Sequence, residues 1–179
     1  MYPVETINYW LSVGVVLMQI ATLALLALFL LQKKIPDLQS QADFIGRWGL
    51  WLGFLVTLAG SAIAFFYSDV LGFAACWHCW VQRVFFCPQV ILFAVALWYK
   101  DKSVANYSIV LSIFGAIDAL YQHYLQMGGS SPLPCPAVPG AADCAQRFLF
   151  EFGYITFPLM AFSLFAFLIV LMLFARRSR

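Results

Sequence analysis

Five apolar stretches, at about 9–31, 47–67, 78–99, 105–126 and 153–175, constrain this chain more than any other feature. Each is long enough to cross roughly 30 Å of hydrocarbon as a helix of about 20 residues. With 64% of its 179 residues hydrophobic and 10% charged, a soluble domain of this length has too little interior to hide them. The runs are too long for barrel strands and do not alternate as such strands do. The sequence therefore predicts an all-α, multi-pass protein embedded in a lipid bilayer.

Basic residues give the spans a direction. Lys33, Lys34 and Arg47 border the first connection, Lys100 and Lys102 the third, and Arg176, Arg177 and Arg179 the tail. With five spans these eight share one side, which leaves Arg147 alone on the other and Arg83 inside a span. The expected topology has the N-terminus outside and the C-terminus in the cytoplasm. The first stretch has no basic leader and is followed by Lys33-Lys34, so it is expected to stay as an anchor rather than be cleaved.

That topology places Cys76, Cys79, Cys135 and Cys144 at the outer face, with Cys87 deeper. Disulfides persist in oxidising compartments such as the bacterial periplasm. Of the possible pairings, the two local ones, Cys76–Cys79 and Cys135–Cys144, are the default.

The stretch ACWHCWVQR, 75–83, carries the first pair. If a helix begins near Cys79, then Gln82, Arg83 and Phe86 follow it down one stripe at offsets of three and four. The positive end of the helix and the guanidinium are expected to favour a thiolate at Cys79. An arginine about one turn inside a bilayer is costly and marks a functional site, unless it snorkels to the headgroups. The sharper reading has Arg83 facing a protein cavity. There it would polarise the carbonyl oxygen of a membrane-soluble oxidant such as a quinone, with Cys79 supplying electrons. Trp77 and Trp80 fit the interfacial aromatic belt. Cys87, about 12 Å further along the helix, is beyond disulfide reach of Cys79 and reads as a packing residue. His78 stays open between an interfacial histidine and one that makes the disulfide more oxidising.

The fourth stretch carries Asp118, Gln122, His123 and Gln126 on its outer half. His123 reads either as a proton relay or quinone hydrogen-bond donor, or as a histidine bonded to headgroup or water. Asp118, deeper, must be paired or protonated, with Arg83 or a polar neighbour as its partner. The outer loop, 127–152, opens with Gly128, Gly129, Ser130 and Ser131 and places Pro132, Pro134, Pro136 and Pro139 around Cys135. Prolines at this density favour extended, turn-rich chain, suited to presenting Cys135 to another protein for thiol–disulfide exchange. A simple staple is the alternative. The segment AQRFLFEF after Cys144 is expected to form a short interfacial helix.

With C-x-x-C-x-x-Q-R at 76–83, YQHY at 121–124, C-x8-C at 135–144 and FGYITFP at 152–158, the chain resembles the DsbB family of membrane disulfide:quinone oxidoreductases, especially its short-loop members. The resemblance implies a four-helix redox bundle over 47–179. Residues 1–46, an additional N-terminal transmembrane helix with a cytoplasmic loop, fall outside that pattern. It further implies that Cys79 faces the quinone (ubiquinone or menaquinone) and that Cys76 is its disulfide partner. Arg83, His123 and Gln82 would lie on the quinone side, Gln82 standing where the family's residue before the arginine is acidic or variable. Cys135 would form the mixed disulfide with a thioredoxin-fold, DsbA-like protein, and Cys144 would resolve it. The implied activity is disulfide formation at the outer face of a bacterial inner membrane, with electrons passing to the membrane quinone pool. No metal and no nucleic acid are expected. The competing readings are a non-enzymatic anchor or assembly factor with structural disulfides, and a metal site of Cys76, Cys79 and His78, whose ligand set is short.

Overall fold

In hydrocarbon, helices gain little from burying more apolar surface, so they associate through small residues that allow close approach and through polar contacts. The chain uses both. A computed structural model describes residues 4–130, 135 and 141–177. Ser131, the four prolines around Cys135 and Arg179 of the basic tail lie outside the described residues. The helices are α1 (Val4–Leu31), α2 (Asp37–Phe65), α3 (Trp77–Tyr99), α4 (Val104–Gln126) and α5 (Phe157–Arg177), with a π-helical turn at Phe66–Val70 continuing α2. All five are long and apolar enough to cross a membrane. Among the described residues there is no strand, only an isolated bridge between Glu151 and Ile155. This is an all-helical, multi-pass membrane protein.

Helix α5 is the hub, packing on α4, α2 and α1, with Phe165, Leu168, Leu171 and Met172 fully buried. Helix α2 turns a small-residue stripe, Ala42, Gly46, Gly49, Gly53, Thr57 and Ser61, toward the interior. A Cβ on Gly49 would stand 3.0 Å from the Ala175 Cβ, so the α2–α5 approach depends on that glycine. Helices α3 and α4 are joined in mid-span by Gln89, which donates to Ser112 Oγ at 3.3 Å and accepts from Ser108 Oγ at 2.6 Å. Helix α1 lies mainly on α5, with Asn8, Ser12 and Val15 as its buried face. Gln19 extends that face by donating to Ser163 Oγ at 2.8 Å. Between α3 and α4 the chain reverses through Lys100 in the left-handed region (φ 54°). There Asp101 accepts from the Ser103 N–H at 2.8 Å and hydroxyl at 2.7 Å, and these bonds hold its carboxyl below the usual carboxylate range.

Boundaries differ from expectation in four places, the first being α1, which starts at Val4 rather than near 9. Helix α2 starts at Asp37, inside what the sequence suggested was a loop, because Leu38, Ala42 and Ile45 recur at helical spacing and Ala42 and Ile45 pack against Val170 and Phe174 of α5. The segment AQRFLFEF is not an interfacial helix. Phe152 (φ 52°) and Gly153 (φ 77°) are left-handed, so the chain turns back on itself and Glu151 and Ile155 exchange backbone hydrogen bonds of 3.0 and 2.9 Å. For the same reason α5 starts at Phe157 rather than near 153.

Candidate functional site

Helix α3 begins where Cys76, extended at φ −77° and ψ 174°, caps it: the Cys76 sulfur accepts from the Cys79 N–H at 3.3 Å. This is the N-cap geometry usually made by a serine or aspartate oxygen. It brings the two sulfurs within 2.7 Å of each other, but as two free thiols sharing a hydrogen bond and not as the expected Cys76–Cys79 disulfide. Gln122 of α4 donates to Cys76 Sγ at 2.9 Å and reaches Cys79 Sγ at 3.5 Å. Behind Gln122, the Gln82 amide donates to Gln122 Oε1 at 2.8 Å and to Asp118 Oδ2 at 3.3 Å. Asp118 meets His78 instead of Arg83, with Oδ1 2.7 Å from Nδ1, and the His78 ring stands edge-on to Tyr121 at 5.3 Å.

The second cysteine pair is a disulfide, Cys135–Cys144. Both pairs belong to one packed cluster, in which buried Cys76 and Cys144 share Leu125, Tyr121 and Ala142. Pairs separated by more than fifty residues of sequence are thus side by side at one end of the bundle. Cys87 packs against the Phe86–Phe165 cluster, away from the other sulfurs.

Below the pair the Cys79, Gln82, Arg83 and Phe86 stripe opens onto a cavity of about 420 Å³, within the size range of small-ligand pockets. Tyr67, presented by the π-helical turn, closes one side, its ring edge-on to Phe157 at 4.8 Å and tilted toward Phe73 at 5.9 Å. Single π turns inside helices often mark functional sites. Arg83 is buried and does not snorkel. Its Nη2 donates to the Ala64 carbonyl at 2.8 Å, and its guanidinium lies 4.8 Å from the Trp80 ring and 5.2 Å from the Phe65 ring. Its Nη1 has no hydrogen-bond partner among the described residues. A buried guanidinium N–H left unpaired costs free energy that an acceptor oxygen in the cavity would recover. The residues therefore fit a flat apolar ligand with a carbonyl edge, the chemistry of a quinone.

His123 is placed elsewhere. Its Nδ1 lies 2.9 Å from Thr156 Oγ1, which also accepts from the Leu159 N–H at 3.4 Å at the start of α5. His123 does not line the cavity. Gln122 and Tyr67 were not singled out from sequence as site residues. For Gln122 a signal existed, since it follows Asp118 at i+4 and so shares its face. For Tyr67, whose position depends on the π turn, there was none.

A membrane helix bundle that gathers two cysteine pairs at one end, one of them over a cavity with a buried arginine, defines a membrane thiol–disulfide protein. The chain belongs to the DsbB family: the profile described as disulfide bond formation protein DsbB matches residues 46–175. Among curated relatives, the SPbeta prophage-derived disulfide bond formation protein B of Bacillus subtilis (strain 168) is 34% identical over 113 residues, 63% of this chain and 75% of the relative. Disulfide bond formation protein C of the same organism is 30% identical over 125 residues, 68% of this chain and 86% of the relative. No solved structure matches.

Proposed function

We propose that this chain is a disulfide:quinone oxidoreductase of a bacterial cytoplasmic membrane, with its N-terminus and four of its cysteines on the outer side and the redox work carried by 47–179. In this reading a reduced thioredoxin-fold, DsbA-like protein attacks Cys135, forming a mixed disulfide and releasing Cys144 as a thiolate. The partner's second thiolate, in place of the resolving Cys144 that the resemblance implied, then displaces Cys135, because attack by Cys144 would only return the partner reduced; the partner leaves oxidised and Cys135 and Cys144 are left as a dithiol. Exchange with a Cys76–Cys79 disulfide restores Cys135–Cys144 and leaves Cys76 and Cys79 reduced. Net, two partner thiols become one disulfide and give up two electrons and two protons. A quinone, ubiquinone or menaquinone, supplies a lipid-soluble acceptor for both.

The observation that carries this reading is that Cys79 belongs to both the cysteine cluster and the cavity lining. Arg83 holds an N–H ready for an acceptor oxygen there, and the apolar walls exclude water, which strengthens that bond. The Gln122 amide stabilises negative charge on the sulfurs. Gln82 holds Gln122 in place, and His123 braces the start of α5 through Thr156.

The test is a purified protein supplied with a reduced thioredoxin-fold partner and a quinone. Quinone should be consumed mole for mole with partner disulfide, Cys79→Ser should abolish this, and Cys87→Ser should leave it intact. Full activity in both variants would sink the mechanism. In cells, Cys144→Ser should accumulate a partner disulfide-linked to Cys135, formed when the Cys135 thiolate attacks the oxidised partner's disulfide and kept because Cys144 is no longer there to expel it.

A further inference from the structure

Helix α1 lies outside the family-matched segment 46–175, yet it forms one wall of the cavity that contains Arg83. Trp10, Leu11, Gly14, Val15 and Met18 line that wall, at spacings that put them on one helical face. Two hydrogen bonds fix the helix there. Tyr67 donates to Asn8 Oδ1 at 2.5 Å, and Gln19 ties α1 to Ser163 of α5. Because α1 leans on α5 and touches α2 only lightly, the α1–α2 interface is left open as a slot. A second apolar hollow of about 330 Å³, between Ile7 of α1, Ala62 of α2 and Phe66 of the π-helical turn, shares Leu11, Ile63 and Tyr67 with the main cavity. The two are therefore neighbours along the α1–α2 seam. Gly14 lines the main cavity where it runs between α1 and Val56, Ala59 and Gly60 of α2, and a Cβ built there meets nothing within 4 Å.

We infer that α1 is a specificity wall of the quinone site, and that the α1–α2 side of the main cavity, away from Arg83 and lined by Gly14 and Met18, receives the ligand's polyprenyl tail. This rests on the quinone reading above. An acceptor oxygen at Arg83 would place a ring in the main cavity, and an apolar tail needs a dry exit toward lipid. The α1–α2 side of that cavity is apolar, and a second apolar hollow borders it. A side chain added at Gly14 takes up tail space without displacing any protein atom at its Cβ.

The experiment compares quinone binding and reduction in the full chain, using a ubiquinone with a ten-carbon tail and one without a tail. Binding is read separately from activity, as quenching of tryptophan fluorescence on quinone addition. Gly14→Leu should raise the KM and the dissociation constant for the tailed quinone about tenfold, the scale for one or two methylenes in an apolar pocket, and change the tail-less one far less. Met18→Phe should do the same if Gly14→Leu fails to fold. Leu17→Trp, on the exposed face of α1, should change neither. Trp10→Phe should remove a large part of the quench, and Trp98→Phe, at the far end of α3, should not. If the wild type binds and reduces both quinones while the α1 lining variants match it for both, the inference is overturned and the quinone reading stands. If the wild type neither binds nor reduces either quinone, the quinone reading fails and takes the inference with it.

Discussion

The side-chain amide of Gln122 donates to the sulfur of Cys76 at 2.9 Å, linking the C-terminal end of one transmembrane helix to the dithiol that caps another. It ends a chain of contacts running from His78 through Asp118 and Gln82. Polar groups at this depth are kept only when each finds a partner. Here every member does, and the sulfurs are the terminal acceptors. The network sets both the register of α3 against α4 and the electrostatics of the dithiol.

Gln122→Leu should therefore make the Cys76–Cys79 pair more oxidising. Among the described residues Gln122 carries the only side-chain amide that donates to these sulfurs. A hydrogen bond to a charged group is worth about 1.5–3 kcal/mol. Losing it destabilises the reduced pair, and about 1.4 kcal/mol corresponds to 30 mV for a two-electron couple. Equilibration against thiol redox buffers should show the potential rising by about 30–60 mV. A potential that falls or stays put would assign Gln122 to packing alone.

The His78–Asp118 contact should show up in a double-mutant cycle. The two side chains are half-buried and 2.7 Å apart. Asp118→Leu strands His78 and leaves Gln82 only its bond to Gln122, at a cost of about 1–3 kcal/mol for an unsatisfied buried group. Replacing His78 with Leu as well should recover part of that loss, giving a coupling of about 1 kcal/mol in thermal unfolding in detergent. Strict additivity would mean that the contact contributes nothing.

The apolar spans were legible because hydrocarbon thickness dictates their length, and the Cys79–Gln82–Arg83–Phe86 stripe because helical offsets are local. The partner of Asp118 was not. Whether it meets Arg83 or His78 depends on the rotation of α4 against α3, which no local spacing encodes. His123 has the same history: its residue type suited a quinone site, but its azimuth on α4 carries it to Thr156. The wall formed by α1 was hidden for a related reason. A nearly uniform apolar helix offers little periodicity, and only Asn8, Ser12 and Gln19 hinted at an inward face. The start of α2 was misjudged because charged residues flank Leu38, Ala42 and Ile45, and burial of the latter two against α5 outweighs that polarity.

Arg83→Met should separate stability from activity. Arg83 is a buried charge with one unpaired N–H and no carboxylate within ion-pair distance among the described residues. Replacing such a group by an apolar side chain of similar volume is often neutral or stabilising by about 1–4 kcal/mol. The variant should therefore unfold at the same or a higher temperature while losing quinone reduction. Arg83→Lys keeps the charge but loses the planar stack on Trp80 and the second donor arm. It should raise the KM for quinone about tenfold, equivalent to about 1.4 kcal/mol. Exchange between the cysteine pairs, followed by thiol trapping, should proceed in both variants.

Gly115→Ala tests whether the packing behind the cavity is rigid. In an unconstrained helix this substitution stabilises by about 1 kcal/mol. Here the added methyl would run into the ring of Phe165, which is fully buried and stands edge-on to Phe86 of the cavity lining at 6.1 Å. Overpacking of this kind costs about 1–3 kcal/mol when the neighbour cannot move, so the two effects oppose each other and the sign is informative. Phe165 is wedged between α3 and α4 within a filled cluster, which leaves its ring little room to swing. The melting temperature should therefore fall, and quinone affinity should weaken with it as the push passes through Phe86. A melting temperature that rises would mean that the ring moves aside and that the cavity is not braced from this direction.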